Sequence, residues 1–382
     1  MKDSLRALLS DARAAIRRAF RGMRSRAAPP QPATTELAGN IDVDVDVDPN
    51  LIEGDFRILD DLGTGDAASQ WGEPPDTDAP ALHEVAHAGE FIAGSFTGEA
   101  GTRAYKLYVP ASTPSTARPL VVMLHGCKQN PDDFAAGTQM NQVAAREGVY
   151  VLYPAQSLSA NRTGCWNWFD AGHQQRDRGE PAIIAGMTRH VIATHPIDPA
   201  RVFVAGLSAG GAMAAILAGT YPDLYAAVGV HSGLPHAAAH DLMSALSAMR
   251  RGPAARRGAA ASGERRVVPT IVFHGEDDTV VHPSNGEHVI AQARWTPPAD
   301  DTGDEADAGD VLVESGEISG GRAFTRTIHR DADGRCDAEH WLVHGAEHAW
   351  SGGSDSGSFT DPLGPDASSE MLRFFSEHPL RK

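Results

Sequence analysis

The sequence predicts an α/β protein with a mostly parallel central sheet covered by helices on both faces. Short runs rich in Val, Leu, Ile and aromatic residues are apolar on both faces, as strands buried on both sides must be. Segments of helical length and spacing lie between them, and that alternation is the pattern of parallel crossover connections. A third observation, Gly206-Leu207-Ser208-Ala209-Gly210 between a strand and an Ala-rich helix, narrows the expectation to the α/β-hydrolase fold.

In chain order the expected strands cover 102–109, 120–124, 149–153, 202–205, 227–230, 270–273 and 341–343. The expected helices between them are 132–147, 180–194 and 209–220. Segments 250–266 and 299–317 break the rhythm with charge and small residues, and read as surface insertions. The most apolar long stretch, 202–219, contains Ser208 and four glycines and reads as a strand turning into a buried helix, not as a membrane span.

Residues 87–382 are the expected catalytic domain, and the chain before them has a different character. Leu5, Leu8, Leu9, Ala12, Ile16, Phe20 and Met23 recur at helical spacing, with Arg6, Arg13, Arg17, Arg21 and Arg24 elsewhere on the wheel. Residues 1–26 therefore read as a basic amphipathic helix, a candidate for weak association with a membrane or granule surface. Residues 31–80 carry thirteen Asp or Glu against Arg57 alone, and 27–86 read as an acidic, mostly disordered tether. Asp42-Val43-Asp44-Val45-Asp46 has the carboxylate spacing of a calcium loop, but Val47 stands where such a loop needs glycine. The basic N-terminus lacks the apolar run of roughly 7–15 residues that a secretory signal needs. A net charge of −17 argues against a nucleic-acid partner, because phosphate backbones are bound by clustered Lys and Arg.

Ser208 is the candidate nucleophile. Flanking glycines let the chain make the strained turn that lifts a Ser hydroxyl out of a sheet, and the following helix N-terminus favours developing negative charge. A Ser hydroxyl needs a base, and the base needs a carboxylate to fix its tautomer. Strand 270–273 runs into His274-Gly275-Glu276-Asp277-Asp278, and Asp278 is preferred over Asp277 as the acid. After the last strand, Gly345-Ala346-Glu347-His348 places His348 in a loop, whereas His344 and His340 fall in or before the strand, so His348 is the expected base. The backbone N–H groups of Ala209 and Cys127 are the candidate oxyanion donors. Trp166, Trp168 and Trp350 are candidates for lining an apolar acyl or polymer groove. No metal or organic cofactor is called for. The three cysteines are too few for a disulfide scaffold and are not spaced as a zinc site. They leave open both a Cys127–Cys165 bridge and reduced thiols.

Four blocks carry a family resemblance: Leu124-His125-Gly126-Cys127-Lys128-Gln129, Cys165-Trp166-Asn167-Trp168-Phe169, Gly206-Leu207-Ser208-Ala209-Gly210-Gly211-Ala212-Met213 and Gly345-Ala346-Glu347-His348-Ala349-Trp350. Through them, from about Gly89 to His378, the chain resembles the PHB (short-chain polyhydroxyalkanoate) depolymerase family of esterases. The resemblance implies that Ser208, Asp278 and His348 form the triad and that Cys127 and Cys165 are bridged. It implies an extracellular setting and a polyester or small-ester substrate, such as 3-hydroxyalkanoate oligomers. The lack of a recognisable signal peptide makes the cytoplasm the alternative setting. The chain ends at Lys382 without the linker and binding domain that let some depolymerases hold a solid polymer, so crystalline polyester falls outside the expectation. Two rival readings stand beside this: a feruloyl or acetylxylan-type carbohydrate esterase, and a non-catalytic protein held on polyester granules by residues 1–26.

Overall fold

The computed structural model describes residues 89–111, 116–252, 267–294 and 310–381. The expected basic helix, the acidic tether with its Asp run, and most of the 250–266 insertion lie outside the described residues. The chain divides into units Met1–Glu84 and Val85–Lys382, and the fold described here is that of the second.

Ten strands form one sheet in the order β1-β2-β4-β3-β5-β6-β7-β10-β9-β8. They are β1 (Glu90–Gly98), β2 (Gly101–Val109), β3 (Arg118–Leu124), β4 (Tyr150–Pro154), β5 (Ile197–Leu207), β6 (Val228–His231), β7 (Thr270–Gly275), β8 (Val311–Glu317), β9 (Ala323–Arg330) and β10 (Cys336–Val343). From β4 to β10 every neighbouring pair is parallel. Antiparallel ribbons, β1-β2 at one end and β9-β8 at the other, complete the sheet. The sheet is thus mostly parallel in its centre, as expected from strands without a polar face.

Among the described residues seven α-helices accompany the sheet: α1 (Pro131–Thr138), α2 (Met140–Glu147), α3 (Gly179–Thr194), α4 (Ala209–Thr220), α5 (Leu242–Arg251), α6 (Ser284–Ala293) and α7 (Ala367–Glu377). The single helix expected over 132–147 is two. Gln139 adopts left-handed backbone, φ 54°, which ends α1 and starts α2. The bend turns Phe134, Met140, Val143 and Ala144 inward together, and an uninterrupted helical pattern in the sequence conceals it.

The core follows the strand period of two. Val121 and Met123 of β3, and Phe203 and Ala205 of β5, pack with Phe134, Met140, Met371, Phe374 and Phe375 from α1, α2 and α7. Phe203 stacks on Phe375 with centroids 4.9 Å apart. The alternate residues Leu120, Val122, Leu124, Val202 and Val204 are fully buried too, so both faces of the sheet are covered.

The expected insertion over 299–317 is corrected at its C-terminal end, because residues 311–317 form β8, paired in register with β9 from Val311↔His329 to Glu317↔Ala323. Six of its seven residues are exposed, so the edge strand is held by backbone hydrogen bonds and carries no in–out alternation for a sequence reading to detect. The half-exposed β1 escaped the reading for the same reason.

Candidate active site

Ser208 stands where β5 turns into α4, with φ 57° and ψ −119°. A non-glycine residue in such a region costs on the order of 1–3 kcal/mol and persists only where its surroundings impose it. They do so here through glycine. A Cβ on Gly206 would lie 2.5 Å from the carbonyl of Gly210, and one on Gly210 would overlap the Leu124 carbonyl. The Ser208 N–H donates to His231 O at 2.9 Å, which ties the turn to β6.

The candidate acid and base come from the ends of β7 and β10, so all three candidate residues sit at carboxyl ends of parallel strands. Asp278 is buried, 4% exposed. Its Oδ1 accepts from the N–H groups of Val280 (2.9 Å) and Val281 (2.8 Å), and its Oδ2 accepts from His348 Nδ1 at 2.7 Å. Burial alone would raise this carboxyl. The charge of His348 and hydrogen bonds from His274 and His348 outweigh it and hold the carboxyl well below the usual range. With Nδ1–H given to Asp278, His348 keeps Nε2 as its proton acceptor, which is the tautomer a general base requires. Asp277 is exposed and its neighbour Glu276 pairs with His344 at 3.2 Å, so neither competes for His348. Gly275 lets the strands meet: a Cβ there would sit 2.6 Å from the carbonyl of Glu347, next to the base.

The loop after β3 lies against Ser208. A Cβ on Gly126 would be 3.7 Å from Ser208 Cβ. Gly126 N–H donates to Gln129 Oε1 (2.9 Å), Lys128 N–H to Thr163 O (2.9 Å) and Gln129 N–H to Gly126 O (3.3 Å). Among the described residues that leaves the Cys127 N–H as the donor of this turn without a backbone acceptor. The Ala209 N–H, at the first position of α4, likewise has no partner within its helix. Cys127 and Cys165 are bridged, with Cα atoms 4.2 Å apart. The bridge ties the loop after β3 to the loop after β4. Glu180, 1% exposed, braces that second loop by accepting from Asn167 N–H and Asn167 Nδ2, both at 2.7 Å.

The tryptophans do not line an open groove. Trp166 is fully buried and donates from Nε1 to His125 O at 3.1 Å, so it braces the loop after β3. Trp350 is 1% exposed, stacked on His231 at 5.0 Å and edge-on to Phe134 at 5.5 Å. Trp168 is buried against Phe169. Their expected role in a groove is corrected to packing, because the faces that would meet substrate are already covered by protein.

His231 escaped the sequence reading. Its carbonyl accepts from Ser208 N–H and its Nε2 accepts from Ser351 N–H at 2.9 Å, so one residue on β6 joins the nucleophile turn to the segment after His348. Burial, with lesser effects from His274 and His348, pushes its pKa well below the ordinary value and keeps it neutral. The only sequence signal was a His at a strand end, one of seventeen. Among the described residues no three or more His, Cys, Asp or Glu side chains are placed to hold a metal ion, and no described helix is long and apolar enough to cross a membrane.

A parallel sheet of this order, with a serine in a strained strand-to-helix turn and a buried Asp–His pair at neighbouring strand ends, defines an α/β-hydrolase of the serine esterase class. Within that class the chain belongs to the esterase PHB depolymerase family, which it matches over residues 103–314. The match includes Ser208 and Asp278 and stops before His348. The chain is 34% identical over 250 residues to poly(3-hydroxyalkanoate) depolymerase C of Paucimonas lemoignei, covering 63% of this chain and 57% of that protein. It is 30% identical over 202 residues to feruloyl esterase B of Thermothelomyces thermophilus, covering 49% of this chain and 67% of that protein. The chain thus spans little more than half the length of the depolymerase. In structure, the acetyl xylan esterase from Aspergillus awamori superposes with a TM-score of 0.56 over 75% of this chain and 99% of that one, at 20% identity, which establishes a common fold alone.

Proposed function

We propose that this chain hydrolyses the ester bonds of a 3-hydroxyalkanoate polyester, or of its oligomers, through an acyl-enzyme on Ser208. Ser208 Oγ attacks the ester carbonyl while His348 Nε2 takes its proton. The N–H groups of Ala209 and Cys127 receive the oxyanion, and His348 returns the proton to the departing alkoxide. Water then repeats the sequence on the acyl-enzyme, releasing the acid and restoring Ser208. Asp278 stabilises the imidazolium formed at each stage. The observation that carries this reading is the buried 2.7 Å His348–Asp278 hydrogen bond, together with a serine held at positive φ in a strand-to-helix turn.

The test is release of 3-hydroxybutyrate from amorphous polyhydroxybutyrate and hydrolysis of a soluble short-chain ester, comparing wild type with Ser208→Ala. Activity on both that the substitution abolishes is expected. Activity on the soluble ester alone would sink the polymer assignment.

The similarity to a feruloyl esterase favours a second reading, hydrolysis of feruloylated or acetylated sugars, and turnover of those esters at a higher kcat/KM than hydroxybutyrate oligomers would establish it. A non-catalytic granule-binding role is opposed by the complete Ser208, Asp278 and His348 set. Deleting residues 1–26 and measuring sedimentation with polyester granules tests the attachment role, and unchanged binding removes it. The Cys127–Cys165 bridge supports an oxidising compartment, because such bonds are reduced in the cytosol.

A further inference from the structure

Asp278 Oδ2 faces two imidazoles. His348 donates to it at 2.7 Å, and His274 Nε2 lies 3.4 Å from the same oxygen. His274 is fully buried on β7, and its Nε2 is also 2.8 Å from Val281 O. A nitrogen lying against two acceptor oxygens carries a proton, whereas the Nδ1 of His274 meets no acceptor among the described residues. The surroundings agree. Nδ1 has no hydrogen-bond partner among the described residues, nor has Nε2 of the neighbouring His340. Both nitrogens point to the space over Gly286, 3.1 Å and 2.9 Å from where a Cβ would sit, and glycine there keeps them uncrowded.

We infer that His274 is a positioning residue for the reaction: through a forked Nε2–H shared between Val281 O and Asp278 Oδ2 it fixes the carboxylate and disperses its charge. The inference rests on the Ser208, Asp278 and His348 reading given above. A carboxylate held and shared by a second donor presents one fixed oxygen to the Nδ1–H of His348, so loss of that donor should show in kcat and in the pH profile, not in KM. The other titratable groups facing this cluster are His231 from β6 and His340 from β10, with His329 of β9 beyond His340. Glu287 and His288 of α6 are exposed to solvent.

The experiment compares wild type, His274→Leu and His274→Gln on a soluble p-nitrophenyl ester across pH. Leu removes the donor, whereas the Gln amide can place an N–H near the Nε2 position. In His274→Leu, kcat should fall about tenfold, equivalent to ~1.4 kcal/mol, with KM little changed. The acid limb of kcat/KM should move to higher pH, and His274→Gln should restore both. A folded His274→Leu with the wild-type acid limb overturns the inference, since a purely structural bond to Val281 would alter stability without moving that limb. If His274→Leu does not fold, nitrogen NMR of histidine-labelled wild type at pH 8 decides: a proton on Nε2 and a bare Nδ1 sustain the inference, and a proton on Nδ1 refutes it. Loss of activity in Ser208→Ala and Asp278→Asn confines any such failure to His274, while activity retained in those variants would remove the underlying reading instead.

Discussion

Replacing Asp278 with asparagine isolates what the carboxylate contributes to the base. The structure dictates how the amide would sit. Oδ1 accepts from two backbone N–H groups, those of Val280 and Val281, so the oxygen of the new amide must take that place. The amide nitrogen, a donor, then faces His348 Nδ1, where the carboxylate had accepted at 2.7 Å. Two donors cannot share that contact. His348 relieves it by moving its proton to Nε2, and the atom that should accept from Ser208 no longer can. A wrong tautomer with intact geometry lowers kcat by about 10⁴ in serine hydrolases, equivalent to ~5.5 kcal/mol in the barrier. The assay is hydrolysis of a soluble p-nitrophenyl ester under saturating conditions, with thermal melting to confirm folding. KM should change little, because the altered contact lies behind the histidine. Asp277→Asn, at an exposed position, should retain activity within about twofold. A folded Asp278→Asn that loses less than tenfold would refute the assignment of the acid.

Three further outcomes follow from the same geometry. Cys127→Ala with Cys165→Ala opens a bridge across 38 residues, and by the chain-entropy account should cost about 3–4 kcal/mol, read as a lower Tm together with lower kcat as the loop carrying the proposed oxyanion donor loosens. Trp350→Ala should cost about 3–5 kcal/mol of stability as a core truncation, read by denaturant unfolding, and a raised KM at unchanged stability would contradict its packing role. Stability should fall on acidification from about pH 6.5 towards pH 4. Burial lowers His125 and His340 to about 4 and His231 further, so the unfolded chain binds more protons across that window. Each of these histidines contributes a slope of about 1.4 kcal/mol per pH unit between its two pKa values. The depressed carboxyl of Asp278 adds a loss only below the ordinary carboxylate value. Denaturant unfolding that is flat between pH 6.5 and 4 would show that these groups titrate in the folded state as they do in the unfolded one.

The central strands were legible because continuous apolar runs can bury themselves only between two layers of helix. β8 and β1 were not, because an edge strand held by its backbone and exposed along its side chains leaves no periodic trace. The break at Gln139 was hidden too, since residues on both sides of it keep a helical pattern. The tryptophans misled: large apolar rings beside site motifs suggested a groove, and in the structure those rings support the site from within the core.

The sequence by itself determined the nucleophile turn and its setting, because the strain at Ser208 and the need for Gly206 and Gly210 arise from neighbouring residues and from one adjoining strand. The sequence put Asp278 and His348 after strand ends, and the tertiary structure decided that they meet and that His231 and His274, among seventeen histidines, pack around them. His348 and Asp278 are 70 residues apart, and their pairing exists only because β7 and β10 lie side by side. The supporting parts played by His231 and His274 have the same origin. Burial and hydrogen-bond partnership are set by residues distant in the chain, whereas the shape of a tight turn is set by the residues within it.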